Sequence, residues 1–416
     1  MLTTFKRAMG DFPRQYWLMF WGMLISTIGG SMIWPFLMIY VSGKTQQSLT
    51  VCASLMTLSS AMGLLSSFIA GPIVDRVGRK GIMVGSLALN ALGYTLMSQA
   101  ETLPAFALVM ALNGTVNPLY RVAADAMLTD LIPPEKRIDA YSMMRMSNNV
   151  GVALGPLLGG ILVTVSYNIA FIGAAIGLLS YGLLIGFFGR ETKPEHKTPG
   201  TAAPKERFGG YGEIFKDRQF MWFVLDFTAI QICAALIWVL LGVYAKTNYQ
   251  VPESLYSFIP TTNAVMVVTL QYFVTRFTKR FPPLLMLALG AFFYAGATLT
   301  IAFGRDFWAF WVSMVIMTIG ELILMPTSST YVANLAPADK RGRYMSLYSL
   351  SWGVASGTGP VLGGLASESL GPQATWFGGS AVGFIGVIGY LLLHRIYRAP
   401  RPAQLEAPKE PAASAE

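Results

Sequence analysis

Long apolar runs separated by short polar stretches recur from one end of the chain to the other. A hydrocarbon layer about 30 Å thick takes about 20 helical residues to cross. Twelve segments meet that need: 15–41, 49–70, 82–99, 104–131, 138–165, 168–189, 218–245, 254–275, 282–303, 307–335, 342–367 and 373–393. The pattern predicts an all-α membrane protein with twelve transmembrane helices. The longest hydrophilic stretch, residues 190–217, is rich in Pro, Thr, Lys and Gly and reads as a linker between two sets of six spans. The expected organisation is a six-helix bundle over 1–189, a cytoplasmic linker over 190–217, a second bundle over 218–398 and a disordered cytoplasmic tail over 399–416.

Two internal matches make the division meaningful. Asp130-Leu131-Ile132-Pro133-Pro134-Glu135-Lys136-Arg137 recurs as Asn334-Leu335-Ala336-Pro337-Ala338-Asp339-Lys340-Arg341, a shift of 204 residues. The same shift carries Gly155-Pro156-Leu157-Leu158-Gly159-Gly160 onto Gly359-Pro360-Val361-Leu362-Gly363-Gly364. Constant spacing of this kind implies duplicated, pseudo-symmetric six-helix bundles.

Composition agrees with a membrane setting: 54% of residues are apolar and 12% charged, with mean hydropathy +0.52, where soluble chains average about a quarter charged. Cys52 and Cys233 lie inside apolar segments without ligand-like spacing, so neither a disulfide framework nor a metal site is suggested. The N-terminus leads into a full-length span without the look of a cleavable signal. The net charge of +9 follows the membrane. Of the 30 Lys and Arg residues, 25 fall on the side of the N-terminus. Lys44, Lys246 and Arg305 fall opposite, and Arg121 and Arg145 lie within spans. By the positive-inside rule both termini are expected in the cytoplasm. No basic patch is dense enough for a nucleic-acid track.

Between the second and third spans stands Gly71-Pro72-Ile73-Val74-Asp75-Arg76-Val77-Gly78-Arg79-Lys80, a charged, glycine-punctuated stretch that reads as a short surface loop. Its pattern, G-x-x-x-D-R-x-G-R-K, resembles the loop signature of the major facilitator superfamily of transporters. The counterpart in the second half, Val274-Thr275-Arg276-Phe277-Thr278-Lys279-Arg280, keeps basic residues but lacks the acid and the glycines. The resemblance implies that Asp75 contacts the start of the eleventh span, near Gly342, when the protein opens outward. Asp75, Arg76 and Lys80 would then form a conformational latch, with Gly71 and Gly78 allowing close passage under the neighbouring helix and Arg79 and Asp130 completing a charge network. A carboxylate near a helix N-terminus gains about 0.3–1 kcal/mol from the helix dipole.

Gly151, Gly155, Pro156, Gly159 and Gly160 in the fifth span resemble the G-x-x-x-G-P-x-x-G-G pattern of antiporters in that superfamily, and small residues at these spacings let helices approach closely. Glu321 lies midway along its span, where a charge costs at least about 2.5 kcal/mol, so its carboxyl is expected to be paired or protonated for part of a cycle. Its surroundings resemble the tenth span of multidrug–proton antiporters, which implies proton or substrate handling. Arg121 and Asp125, one turn apart, can neutralise each other. Arg145 adds a further cation at similar depth, and Asp226 is expected at a gate or surface near the cytoplasm. The arginine that the superfamily usually places four residues before the glycine matching Gly114 is here Met110, so its role does not carry over. Asn113, Asn117, Asn148, Asn149, Gln231 and Asn263 are cavity candidates, because an unpaired amide is unfavourable in lipid.

The functional expectation is a secondary active transporter working by alternating access, a proton-coupled exporter of small amphipathic compounds or drugs. The alternative is a proton-coupled transporter of a specific sugar, metabolite or organic anion, and a membrane sensor fits less well because residues 190–217 are too few for a signalling domain. No cofactor, metal or nucleotide is implied, the proton gradient being the energy source, and no enzyme activity is expected. The expected partners are the bilayer, protons and a small-molecule substrate, with no nucleic acid. The chain is expected to act as a monomer in the inner or plasma membrane.

Overall fold

The computed structural model describes residues 12–193, 211–337 and 340–397. Most of the expected linker and all of the expected tail lie outside the described residues. Twelve long helices account for nearly everything that remains. In the first half they are α1 (Arg14–Thr45), α2 (Leu49–Val77), α3 (Arg79–Gln99), α4 (Leu103–Leu131), α5 (Arg137–Val165) and α6 (Tyr167–Phe188). In the second half they are α7 (Arg218–Tyr249), α8 (Phe258–Thr278), α9 (Pro283–Phe303), α10 (Phe307–Leu335), α11 (Arg341–Leu370) and α12 (Ala374–Ile396). Among the described residues there is no strand, as hydrocarbon demands of any segment that cannot close a barrel.

Ten of the twelve helices are long and apolar enough to cross a membrane by length and composition. The two outside that set are α4, which carries Asn113, Asn117, Arg121 and Asp125, and α11, which is rich in Ser and Gly. Both spend part of their surface on the protein interior instead of lipid. α1 is interrupted at Trp34–Phe36 by a 3-10 turn with Pro35 in its first positions, as expected where proline removes a backbone donor.

The shift of 204 residues extends far beyond the two matching segments. It carries α1 onto α7, α3 onto α9 and α4 onto α10 with the same first and last positions. Packing repeats likewise. Within the first half α1 packs on α5 and α6, α2 on α4, and α3 on α4 and α6. Within the second α7 packs on α11 and α12, α8 on α10, and α9 on α10 and α12. The chain is therefore two copies of one six-helix bundle, a parallel repeat of the kind transporters use around a central site.

The halves meet chiefly through α2 on α11 and α5 on α8, themselves a symmetry-related pair. Among the described residues the side-chain bonds across this junction run from mid-span to one face of the molecule, and Thr261 donates to the Ala153 carbonyl at 3.4 Å near mid-span. Thr57 donates a short hydrogen bond to the Gly357 carbonyl, the Thr50 amide donates to Glu368 Oε1 at 2.8 Å, and Tyr167 donates to Glu253 Oε1 at 3.1 Å. The last two sit at the helix ends opposite Gly78, and Gly357 lies near the middle of α11. On the Gly78 face the cavity-lining side chains Arg121, Asp125, Tyr141 and Arg145 are exposed. The molecule is thus closed on the far face and open on the face of Gly78.

Candidate functional site: the cavity between the halves

At the Gly78 face the structure departs from the surface loop expected of residues 71–80. α2 stays helical through Val77 despite Pro72, and α3 starts at Arg79, leaving Gly78 as the whole connection. Gly78 adopts φ +112°, a region closed to most side chains. A Cβ there would also collide with Glu191. Gly71, expected at a close approach, instead faces open space. The close neighbour of this junction is the chain leaving α6. Glu191 accepts from the amides of Arg79 at 2.9 Å and Lys80 at 3.1 Å, capping α3. Burial pushes its carboxyl up, but bonds from the amides of Lys193, Arg79, Lys80 and Thr192 outweigh that and hold it below its ordinary value. Sequence reasoning missed Glu191. Its signal was an acid just after a span end, which becomes meaningful only when α6 is known to finish beside α3.

Arg79 donates to Asp130 at 3.0 Å and pairs with Asp75 at 3.4 Å. Asp75 is 72% exposed, and its ion pair among the described residues is with Arg79, not with the start of α11. Lys193 donates to the Arg76 carbonyl at 2.7 Å.

The second cavity-forming region holds Glu321. A cavity of about 350 Å³ is lined by Arg121 of the first half and by Phe227, Gln231, Trp238, Tyr294, Glu321, Met325, Tyr348 and Trp352 of the second. Asn263 donates to Glu321 Oε2 at 2.6 Å and to Thr318 Oγ1 at 3.0 Å, so α8 holds the carboxylate of α10. Gln231 Oε1 is buried and has no hydrogen-bond partner among the described residues. The site thus presents a carboxylate, an amide acceptor and several ring faces around one space. Such faces attract cations as well as apolar bodies.

Facing it, a cavity of about 570 Å³ runs through the first half, lined among others by Trp34, Asn113, Asn117, Arg121, Asp125, Arg145 and Asn148. Arg121 lines both spaces. The expected neutralisation of Arg121 by Asp125 takes no close form: among the described ion pairs none joins them. The shift of 204 places Asn117 opposite Glu321, Arg121 opposite Met325 and Trp34 opposite Trp238. The two halves therefore line the centre with equivalent positions, and only the second puts an acid at this level.

Other expected residues are not gathered here. Asp226 packs against Gly389 of α12, whose Cβ would collide with its carboxylate, and lines neither cavity. Asn149 also lines neither. Tyr348, Trp352, Met325 and Phe227 were not distinguishable in sequence from lipid-facing or core residues, since helical period alone does not say which bundle face meets the other half.

The glycines of α5 divide by partner. At Gly151, Gly155 and Gly159 an added Cβ would strike Thr27, Ser31 and Met32 of α1, whereas at Gly160 it would strike Ser257 of the other half. The repeat copies the division: Gly363 packs on Leu236 of α7, and Gly364 lies where a Cβ would come within 2.8 Å of the Thr50 backbone in the first half. Pro156 lies inside α5, which continues through it.

Comparison with known proteins agrees with this architecture. The family model for the Major Facilitator Superfamily matches residues 19–246 and 227–416. The uncharacterised MFS-type transporter YhjO of Bacillus subtilis is 24% identical over 91% of this chain and 92% of its own. A Na(+), Li(+), K(+)/H(+) antiporter of Planococcus maritimus is 25% identical over 83% of this chain and 86% of its own. The multidrug resistance protein MdtH of Cronobacter sakazakii is 26% identical over 78% and 79%. Among solved structures, a POT family transporter with a thioalcohol-conjugated peptide superposes with TM-score 0.77 at 16% identity, covering 92% of this chain and 96% of that one. An inward-facing bacterial homologue of the lysosomal transporter Spinster gives TM-score 0.72 at 14% identity, covering 92% and 97%. The family and these relatives are transporters, not enzymes. With the matched fold, the duplicated bundles and the central cavity in hand, the chain belongs to the Major Facilitator Superfamily as a multi-pass integral membrane transporter.

Proposed function

We propose that the protein is a proton-coupled exporter of small amphipathic compounds in the cell membrane, with both chain ends on the cytoplasmic side. The observation that carries this reading is the placement of Glu321: a carboxyl at mid-span, held by Asn263 and lining the cavity that the two halves share. The excess of basic residues on the Gly78 face supports that face as cytoplasmic, and bacterial relatives named as a multidrug resistance protein and a cation–proton antiporter support export and coupling.

In this mechanism the structure corresponds to the state open to the cytoplasm. An amphipathic substrate enters between the halves and rests on Trp238, Trp352 and Tyr348. Its arrival and the loss of a proton from Glu321 accompany each other, because the cavity accommodates a bare carboxylate best beside a polar or cationic group. Parting of the far-face contacts then exposes the site outward. Protonation of Glu321 from outside releases the substrate and permits return. Asp75, turned to Arg79 in the present state, latches the outward-open state against the start of α11. Asp75→Asn is expected to lower the outward-open fraction, read by labelling of single cysteines on the far face; an unchanged distribution overturns the latch.

The reading as a whole is tested by gradient-driven flux in proteoliposomes containing wild type or Glu321→Gln. A second reading, transport of a specific organic anion, is favoured by Arg121 and Arg145, two cations in the cavity without a close ion pair among the described residues. Arg121→Gln then weakens binding of an aromatic carboxylate such as biphenyl-4-carboxylate while sparing the uncharged biphenyl. Equal effects on both probes contradict that reading.

A further inference from the structure

The duplicated register exposes a difference between the halves at the Gly78 face. The shift of 204 carries Asp75 onto Lys279, Arg79 onto Pro283 and Asp130 onto Asn334. In the first half these positions form the Asp75–Arg79–Asp130 network that ties α2 and α3 to α4. In the second half both acids and the arginine are gone, and the equivalent place is a cavity of about 310 Å³. Its lining includes Thr275, Lys279, Phe281, Pro283, Thr330 and Asn334. Two carboxylates and a guanidinium have been exchanged for one ammonium and an amide, so the local charge changes sign.

Three donors in this cavity, on Lys279, Asn334 and Thr275, are uncommitted among the described residues, whereas Thr278 and Thr327 donate to the carbonyls of Thr275 and Ile323. Lys279 makes no ion pair among the described residues, and the Asn334 amide has no partner there. The Thr275 hydroxyl accepts from Gln271 at 2.9 Å, which leaves its proton to give. Thr330 is spent on the Pro326 carbonyl. Three donors lining one surface-open space, one of them the positively charged Lys279, suit a phosphate-type anion. The surroundings fix its depth: Tyr272, Phe273 and Phe277 at the end of α8 and Phe281 just beyond it are exposed, beside Arg276 and Arg280. Exposed aromatic rings among basic residues mark the level of the lipid headgroups.

We propose that this cavity binds the phosphate group of an anionic phospholipid, a site the first half lacks because its own carboxylates already occupy Arg79. The bound headgroup bridges α8, α9 and α10, doing with a lipid what Asp75 and Asp130 do with side chains.

Native mass spectrometry of the full chain in detergent, incubated with phosphatidylglycerol or phosphatidylcholine, tests it. Wild type is expected to retain phosphatidylglycerol preferentially, and Lys279→Gln to lose about fivefold in that retention. Asn334→Asp, which keeps the lysine and supplies it with an internal carboxylate, is expected to lose as much. Arg280→Gln, outside the cavity, retains the preference. Retention unchanged in Lys279→Gln, or reduced equally in Arg280→Gln, overturns the site in favour of general surface charge. The soluble arm uses sn-glycerol 3-phosphate in titration calorimetry. Binding of that probe with no preference between the two lipids overturns the lipid assignment and leaves a site for a free phosphate ester. Gel-filtration profiles matching wild type keep the variants comparable.

Discussion

Gly78 and Glu191 show how a single position can carry a junction. The backbone at Gly78 turns through φ +112° with a carboxylate against it, so Gly78→Ala is expected to cost about 1–3 kcal/mol. Gly71, helical and facing open space, is expected to tolerate alanine or gain about 0.5–1 kcal/mol. Thermal unfolding of the two variants in one detergent separates them, and equal effects contradict the account. Sequence marked both glycines alike, because spacing cannot say which one leaves the helix. Glu191 adds a pH dependence. Its carboxyl is held below the ordinary 4.5 by backbone amides, a folded value below the unfolded one. Its contribution is therefore complete above about pH 4.5 and is lost as pH falls through the lower folded value. Protection of the Arg79 and Lys80 amides, taken relative to their intrinsic exchange rate, should fall over that interval in wild type, whereas Glu191→Gln should show no such step.

At the scale of helices, α5 and α11 each present glycines to two different neighbours. Gly151, Gly155 and Gly159 seat α5 on α1 inside one bundle, while Gly160 and Gly364 touch the opposite half. Bulk at the first kind of position strains a bundle; bulk at the second pushes the halves apart. Gly159→Leu is expected to destabilise the protein by about 1–3 kcal/mol. Gly364→Val is expected to leave the unfolding temperature nearly unchanged and to lengthen the distance between spin labels at Gln46 and Gln250 on the far face. Identical distances in Gly364→Val and wild type contradict the division. The motif itself was legible in sequence, including its copy 204 residues on, but its partition was not, since Gly159 and Gly160 are adjacent in the chain and differ only in what the other half brings to them.

At the scale of the molecule, the twelve spans and the repeat were legible because lipid imposes length and duplication preserves spacing. The shift read from two short segments fixes the relation of α1, α3 and α4 to α7, α9 and α10 throughout. The centre was less legible. Glu321 stood out as an acid at mid-span, and Asn117 and Gln231 as amides in lipid, yet Arg121 as a wall common to both cavities, and the displacement of Asp226 into the α7–α12 contact, depend on how complete bundles dock. The most direct measurement is accumulation of an amphipathic dye such as ethidium in inverted vesicles with an acid lumen, comparing wild type with Glu321→Gln. Wild type is expected to accumulate the dye in a gradient-dependent way and Glu321→Gln not at all, with dye binding retained in the variant. Accumulation by Glu321→Gln at the wild-type rate, or wild-type flux indifferent to the gradient, contradicts proton coupling through Glu321.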